Sequence, residues 1–395
     1  MLPSPPYQCY KPPRGIMPKL LIVCYEFPPL GGGGGRVARG LCTALIRLGY
    51  QIDYVTMGFR GMPRREVIDG ITIHRIPCLR SQLTTCQSWE MAPYILLAIP
   101  YCLWLVRRGD YAINHTHFIF PDGVISWVVK RLSGLPFVVT AHGSDVPGYN
   151  PDRFLRLHEW LAPLWRRVTK SARGLLCPSR VIESLVHARD PSLRTWIIPN
   201  AIDSRKFSVR NEHRKSVIVV TRMFERKGVQ FVLEALHGLE PDWEVDILGD
   251  GPFSDELKRI ATQYGSRARF HGHVDSMSSE FKERFETAGI FVFTSEAENF
   301  PMVLLEAMVA GLPIITTLGT GCEEVVGDAA LLVAARDAGE LRKALTRLMS
   351  DAALRKQLGA AARARVEEHF NWATVAARTA EILQAEASVR SATVS

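Results

Sequence analysis

An α/β protein with two Rossmann-like units is predicted by three observations. Short apolar runs with strand character alternate with helical patterns along the chain, a polar stretch at Asn200–Lys215 interrupts them once, and the alternation then restarts. The length of 395 residues suits two or three domains of roughly 150 residues each. A content of 47% hydrophobic and 22% charged residues, with 30 Gly and 24 Pro, excludes collagen-like, disordered and disulfide-scaffold chains. Eight Cys without paired C-x-x-C spacing read as scattered reduced thiols. With no signal peptide at the start, the expected setting is cytoplasmic.

Residues 1–16 are Pro-rich and aperiodic and read as a disordered tail, with Met17 as an alternative translation start. Lys19–Cys24 is a short apolar strand. A run of five glycines, Gly31 to Gly35, follows, and then a helical pattern (Val37, Leu41, Leu45, Leu48) ends at Gly49. A second strand spans Gln51–Thr56, completing a βαβ opening. Glycines there let backbone N–H groups approach a phosphate, although a tight turn alone would also use them. Further strands are expected at Ile71–Arg75, Tyr111–His115, Phe137–Ala141, Gly174–Cys177 and Thr195–Ile198, with helices near 91–107, 122–134, 153–172 and 179–188. The sheet is read as parallel. The run Tyr94–Val106 is strongly apolar but has only 13 residues and contains Pro100. That is short of the ~20 needed to span a bilayer, so it reads as a core helix or as a helix lying at a membrane surface beside Arg107 and Arg108. His142 follows the Phe137–Ala141 strand, where loops of open α/β sheets line a ligand crevice. A structural histidine is the plainer reading, and Asp145 suits a helix cap.

The second half repeats the pattern: strand Val217–Thr221, helix near 228–238, strand Glu244–Leu248, helix near 254–263, strand Arg269–His271, helix near 279–286 and strand Ile290–Phe293. Helices near 338–349, 351–368 and 372–386 close the chain. Arg222 directly follows a strand and Lys227 precedes Gly228, and two cations on a loop that opens a helix can neutralise a diphosphate. Leu248–Pro252 is a turn first and a ligand loop second. Glu298 lies in a loop before Phe300-Pro301, and Glu306 is expected about two turns inside the following helix. Glu306 sits among Leu304, Leu305, Met308 and Val309, which calls for a partner.

The net charge of +8 is uneven. Residues 1–205 carry 25 Lys and Arg against 13 Asp and Glu, a net of +12, whereas residues 206–395 carry 23 against 27. An anionic partner of the first half, nucleic acid or an acidic membrane face, is one reading, and a solvated basic surface is the other. No helix-turn-helix, zinc-finger or RNP pattern supports nucleic acid. A dinucleotide oxidoreductase is disfavoured because Thr56 and Met57 stand where the ribose-binding acid belongs. Scattered His and Cys give no metal-ligand spacing.

Taken together, Gly31–Gly35, Thr140-Ala141-His142-Gly143, Pro199-Asn200-Ala201-Ile202-Asp203, Arg222-x4-Lys227-Gly228, Leu248–Pro252, Phe270-His271-Gly272-His273-Val274, Glu298-x7-Glu306 and Gly321-x2-Glu324 resemble a retaining GT-B glycosyltransferase. The family is the large group 1, family 4 set that includes sucrose synthases and bacterial mannosyltransferases. Each motif is common singly, and their order and spacing over about residues 19–385 are specific.

The resemblance implies two Rossmann-like domains facing a central cleft: residues 17–205 for the acceptor and 206–369 for the donor, with a C-terminal helix at about 370–390, near Phe370-Asn371-Trp372, packing back on the first. It implies transfer of a sugar from a UDP- or GDP-sugar to a carbohydrate or lipid-linked acceptor with retention of configuration, without metal or other cofactor and without nucleic acid. Arg222 and Lys227 would contact the diphosphate, Glu306 the ribose, and Glu298 and His142 the transferred sugar. Gly33, Gly34, Gly35, Asn200, Gly249, His273, Val274, Asn299, Phe300, Met302 and Val303 complete the implied donor site. The family often carries Gly-Phe-Gly after the first glutamate, and this chain has Asn299-Phe300-Pro301, whose Pro301 lacks an N–H. A lipid-linked acceptor would suit the basic half and a peripheral position on the inner membrane face. A GT-B-type nucleotide-sugar epimerase is the alternative.

Overall fold

The computed structural model describes residues 18–83, 85–149, 151–210, 213–239, 242–265 and 268–388. The expected tail at 1–16 and the start at Met17 lie outside the described residues. The chain divides into two compact units. One holds the chain up to Cys177 together with Val186–Ile198 and the segment from Trp372, and the other holds Pro178–Leu185 and Pro199–Asn371. The passage from the first to the second lies at Ile198/Pro199, ahead of the 205/206 boundary expected from the polar loop.

The first unit runs β1 (Lys19–Val23), α1 (Gly33–Arg47), β2 (Gln51–Met57), β3 (Arg65–Ile68), β4 (Ile71–Ile76), α2 (Met91–Arg108), β5 (Tyr111–His117), α3 (Asp122–Ser133), β6 (Phe137–Thr140), α4 (Pro151–Ser171), β7 (Leu175–Cys177), α5 (Arg180–Arg189) and β8 (Thr195–Ile197). Its eight strands lie in the order β3-β4-β2-β1-β5-β6-β7-β8. All pairs are parallel except β3–β4, an antiparallel hairpin that adds an edge to the parallel sheet read from the sequence. β3 alternates exposed and half-buried residues, and its charged sequence Arg-Glu-Val-Ile carries no apolar run to betray a strand.

β1 shows why the inner strands form: Leu20, Leu21, Ile22 and Val23 are fully buried, as a strand covered on both faces requires. α1 buries Val37, Leu41, Ala44 and Leu45 along one stripe.

The second unit follows with β9 (Ser216–Val220), α6 (Val229–Leu236), β10 (Glu244–Leu248), α7 (Ser254–Gln263), β11 (Ala268–Gly272), α8 (Ser279–Thr287), β12 (Ile290–Phe293), α9 (Met302–Val309), β13 (Ile314–Thr317), α10 (Gly321–Val326), β14 (Leu331–Val333), α11 (Ala338–Ser350) and α12 (Ala352–His369). Its six parallel strands are ordered β11-β10-β9-β12-β13-β14. The sequence reading had no elements at β13, α10 and β14, which are three to six residues long and too short to show a period. α13 (Trp372–Ser388) closes the chain and packs on α1 within the first unit.

α2 revises one sequence argument. The helix has 18 residues, and with its leading turn Ser88–Arg108 is long and apolar enough to cross a membrane by length and composition. The 13-residue count therefore does not exclude a span. Packing opposes one instead: Tyr94, Ala98, Cys102 and Leu105 are buried in one core with Leu21 and Val23 of β1 and Ile125 and Val129 of α3.

Candidate functional site

Among the parallel strands of each sheet the order reverses once, between β1 and β5 and between β9 and β12. Loops at the carboxyl ends of strands flanking such a switch point are where open α/β sheets bind ligands. Arg222, Lys227 and Glu298 lie at one of these points, and Gly34 and His142 meet at the other.

In the second unit, Arg222 and Lys227 lie on the loop after β9, and Glu298 lies on the loop after its neighbour β12. Lys227 and Glu298 form an ion pair in which both side chains are about nine-tenths buried. Backbone bonds tie the two loops together. Glu296 N donates to Arg226 O (2.9 Å), and Thr294 Oγ1 donates to Gly228 O (3.1 Å). From the other side Gly321 N donates to Glu298 O (3.0 Å), and Thr317 Oγ1 to Ser295 O (2.7 Å). A Cβ on Gly321 would stand 1.7 Å from Asn299 O, so only glycine lets α10 approach this loop. Arg222 is exposed, its guanidinium 5.7 Å from the Phe224 ring.

The loop after β10 joins the same group. Met223 N donates to Asp250 O (3.0 Å), and Gly249 N to Gly272 O (2.7 Å). Gly249 has φ 130°, and a Cβ there would lie 1.8 Å from Thr221 O, so the turn requires glycine. His273 is exposed beyond β11, while Val274 is half-buried against the apolar core of this unit.

α9 carries the second acid. Glu306 is its fifth residue, just over one turn in, not the two turns expected, because the helix starts only at Met302. Pro301 stands before the first turn, where its missing N–H costs the helix nothing. Glu306 is buried, and the partner it requires is Lys206, which forms an ion pair with it from the segment after β8. Asn200 on that segment donates to Phe300 O (3.1 Å), and Ser179 Oγ donates to Asn299 Oδ1 (2.6 Å). Asn299 and Phe300 are thus buried supports, and Met302 and Val303 pack against the apolar core.

In the first unit, His142 follows β6, and its ring lies 4.3 Å from Phe118, which follows β5 with φ 72°. Gly34 reaches the same place: a Cβ on it would meet Phe118 Cζ at 2.5 Å and His142 Cγ at 3.5 Å. His142 Nε2 pairs with His117 Nδ1 at 3.0 Å, and the His115 and His117 rings are 4.5 Å apart. Burial, with the neighbouring His115, pushes His142 down to about 3. Burial alone pushes His115 down to about 4, and burial with both neighbours lowers His117. The trio is neutral at pH 7 and can only exchange hydrogen bonds.

Asp145 is no helix cap. Its carboxylate accepts from Ile119 N (2.7 Å), His142 N and Gly143 N (both 2.9 Å), and so fixes the loop that presents His142. The glycine loop is likewise tied: Glu26 Oε2 accepts from Gly32 N (3.0 Å) and Gly35 N (3.1 Å). Gly33 faces open space.

The sequence reading missed Lys206, Ser179, Phe118, His117 and Glu26. Each acts through a partner distant along the chain or through a loop conformation, and no spacing marks it. Among the described residues, no group of three or more His, Cys, Asp or Glu could hold a metal ion.

Comparison with known families addresses both units. Residues 31–206 match the family described as Glycosyltransferase Family 4, and residues 200–365 match Glycosyl transferases group 1. The chain belongs to the group 1, family 4 glycosyltransferases. The enzyme is 26% identical over 370 residues to N-acetyl-alpha-D-glucosaminyl L-malate synthase of Bacillus anthracis, covering 89% of this chain and 93% of that one. Its fold is similar to that of sucrose-phosphate synthase from Thermosynechococcus elongatus, with TM-score 0.79, 21% identity and coverage of 93% and 98% of the two chains. It is also similar to Anabaena HepE in complex with UDP-glucose, with TM-score 0.72, 16% identity and coverage of 93% and 100%. The glycosyltransferase therefore has the GT-B fold, built from two parallel-sheet α/β domains. These matches do not favour the epimerase and nucleic-acid readings.

Proposed function

We propose that this glycosyltransferase moves a hexosyl group from a UDP- or GDP-sugar to a carbohydrate or lipid-linked acceptor with retention of anomeric configuration. The observation that carries the reading is the nearly buried Lys227–Glu298 pair at the β9/β12 switch point, with Arg222 on the same loop. The solved relative that binds UDP-glucose supports a nucleotide-sugar donor.

The step breaks the bond between the anomeric carbon and the diphosphate oxygen and leaves negative charge on the diphosphate. Arg222 and Lys227 supply fixed cations to absorb it, which is the largest lever such a site has. Glu298 holds Lys227 in place until the diphosphate shares it. Glu306, held by Lys206, presents a carboxylate oxygen for ribose hydroxyls. His142, neutral at working pH, serves as a hydrogen-bond partner for a sugar hydroxyl and not as a general acid. Retention without a carboxylate nucleophile follows if the departing phosphate oxygen accepts the acceptor's proton on the same face.

Thermal shifts with UDP and GDP, each alone, test the donor reading. One should raise the melting temperature by mass action, and Arg222→Ala should abolish that rise. If neither nucleotide shifts the wild-type enzyme, the donor assignment fails. The anomeric configuration of the first product, read by NMR, tests retention.

A further inference from the structure

α2 has a second apolar face that the first unit does not cover. Opposite its buried stripe, Leu96 is 71% exposed, Leu97 49% and Trp104 43%, with Pro100 also exposed between them. Trp89, in the turn that leads into the helix, is 59% exposed. Of the twelve large exposed hydrophobic side chains found among the described residues, four lie on this helix and the turn that leads into it. Such clustering marks an interaction surface, whereas single exposed apolar residues mark nothing.

The exposed charges around this face are mainly positive. Arg107 and Arg108 are exposed at its end, and the Arg108 guanidinium lies 4.6 Å from the Trp104 ring. Next to it Leu132, 65% exposed, shares a cavity with Val106 and Arg107, and Arg131 is exposed beside it. Between residues 70 and 109 the single acid is Glu90. It is fully buried, with its carboxylate accepting from Ser81 N and Gln87 N (both 2.8 Å). Asp110 is the one exposed acid at the helix end.

We propose that this face of α2 docks the enzyme on an anionic lipid surface, with the helix lying in the plane of the bilayer interface. An apolar strip with tryptophans near both ends and arginines at its edge matches the layering of that interface: acyl chains, carbonyl belt and negative headgroups. The buried stripe keeps α2 on the sheet, so the helix lies on the membrane and does not span it. A second copy of this chain fits the face poorly, since a two-fold contact would set the same face against itself and offer Arg107 and Arg108 no acid from residues 70–109, where Glu90 is buried. The inference does not rest on the sugar-transfer reading: vesicle binding is measured without substrate, and nucleotide binding is measured without vesicles.

The test is co-sedimentation of the full chain with phosphatidylglycerol-rich vesicles and with pure phosphatidylcholine vesicles. The enzyme should pellet with the anionic vesicles at low salt, less so with neutral ones, and less as salt rises. The double variant Leu96→Glu/Leu97→Glu should stay in the supernatant while keeping the wild-type circular dichroism, because both residues are exposed. Arg107→Ala and Arg108→Ala should each weaken binding about fivefold. Brominated acyl chains should quench the wild-type fluorescence, and Trp104→Phe should lose part of that quenching. Failure of the wild-type enzyme to pellet, or undiminished pelleting of the double variant, would overturn the proposal. So would self-association that the double variant abolishes without affecting vesicle binding, or a membrane-bound form that resists alkaline extraction.

Discussion

Lys227 and Glu298 are a buried pair that also stands at the proposed donor site. Each is nearly excluded from water, so removing one partner leaves an uncompensated charge. Lys227→Met should cost about 3 kcal/mol of stability. The double variant Lys227→Met/Glu298→Gln should regain a large part of it, and urea unfolding of the three proteins measures both. If the single variant is as stable as wild type, the pair is not buried as described. The histidine trio makes a pH prediction. His115 and His142 have folded values of about 4 and about 3, below the ordinary histidine value near 6.5, and burial lowers His117 too. Between those values the unfolded chain binds protons that the folded chain does not, so stability falls as pH drops below about 6.5. Burial raises Asp145 to about 6 and also raises Asp122 and Glu324, which works the other way as pH falls, so the part played by His142 is read by comparing it with a variant. From pH 6.5 to 4.5 the melting temperature of the wild type should therefore fall further than that of His142→Gln. An equal fall in both would mean that His142 does not titrate as its surroundings require.

At the scale of elements, the loops that carry Arg222, Lys227 and Glu298 are placed by strand order and held by backbone bonds. β9 and β12 are adjacent though β10 and β11 intervene in sequence, and the loops after them meet for that reason. α10 then supports the Glu298 loop through Gly321 N. Gly321→Ala should push Asn299 and Glu298 out of place and lower kcat/KM roughly 100-fold, since displacements near 1 Å cost that much. Unchanged kinetics would show that the loop position is not what matters. Most of these elements were legible in the sequence. Glycine, proline and apolar runs punctuate the strands, and the expected bounds of β10, α7 and β12 coincide with those observed. The ones that were not legible have physical reasons. β3 is charged and lies at an edge, β13 and β14 are too short for a period, and α10 is only six residues long.

At the scale of the whole molecule, α13 belongs to the unit that contains β1. α13 buries Val375, Ala376, Ala380 and Leu383 and packs on α1. Leu383→Ala should cost about 3 kcal/mol. It should lower the melting of the first unit by about 10 °C. Hydrogen exchange should rise in peptides from α1 and stay unchanged in peptides from β9 and β10. Loss of protection in β9 instead would place α13 with the wrong unit.

The sequence by itself determined the alternation of strands and helices, the restart after Asn200–Lys215 and the residue types of the loops after β9 and β12, because these follow from local periodicity and turn chemistry. Only the tertiary structure decided which groups are partners. Lys206 meets Glu306 from 100 residues away, Ser179 meets Asn299 from 120, and Glu26 holds the glycine loop. It also decided that α2 has one buried apolar face and one exposed, although the sequence is apolar on both. The physical reason is shared: hydrogen bonds, ion pairs and burial depend on which strands lie side by side, and strand order leaves no mark on local sequence.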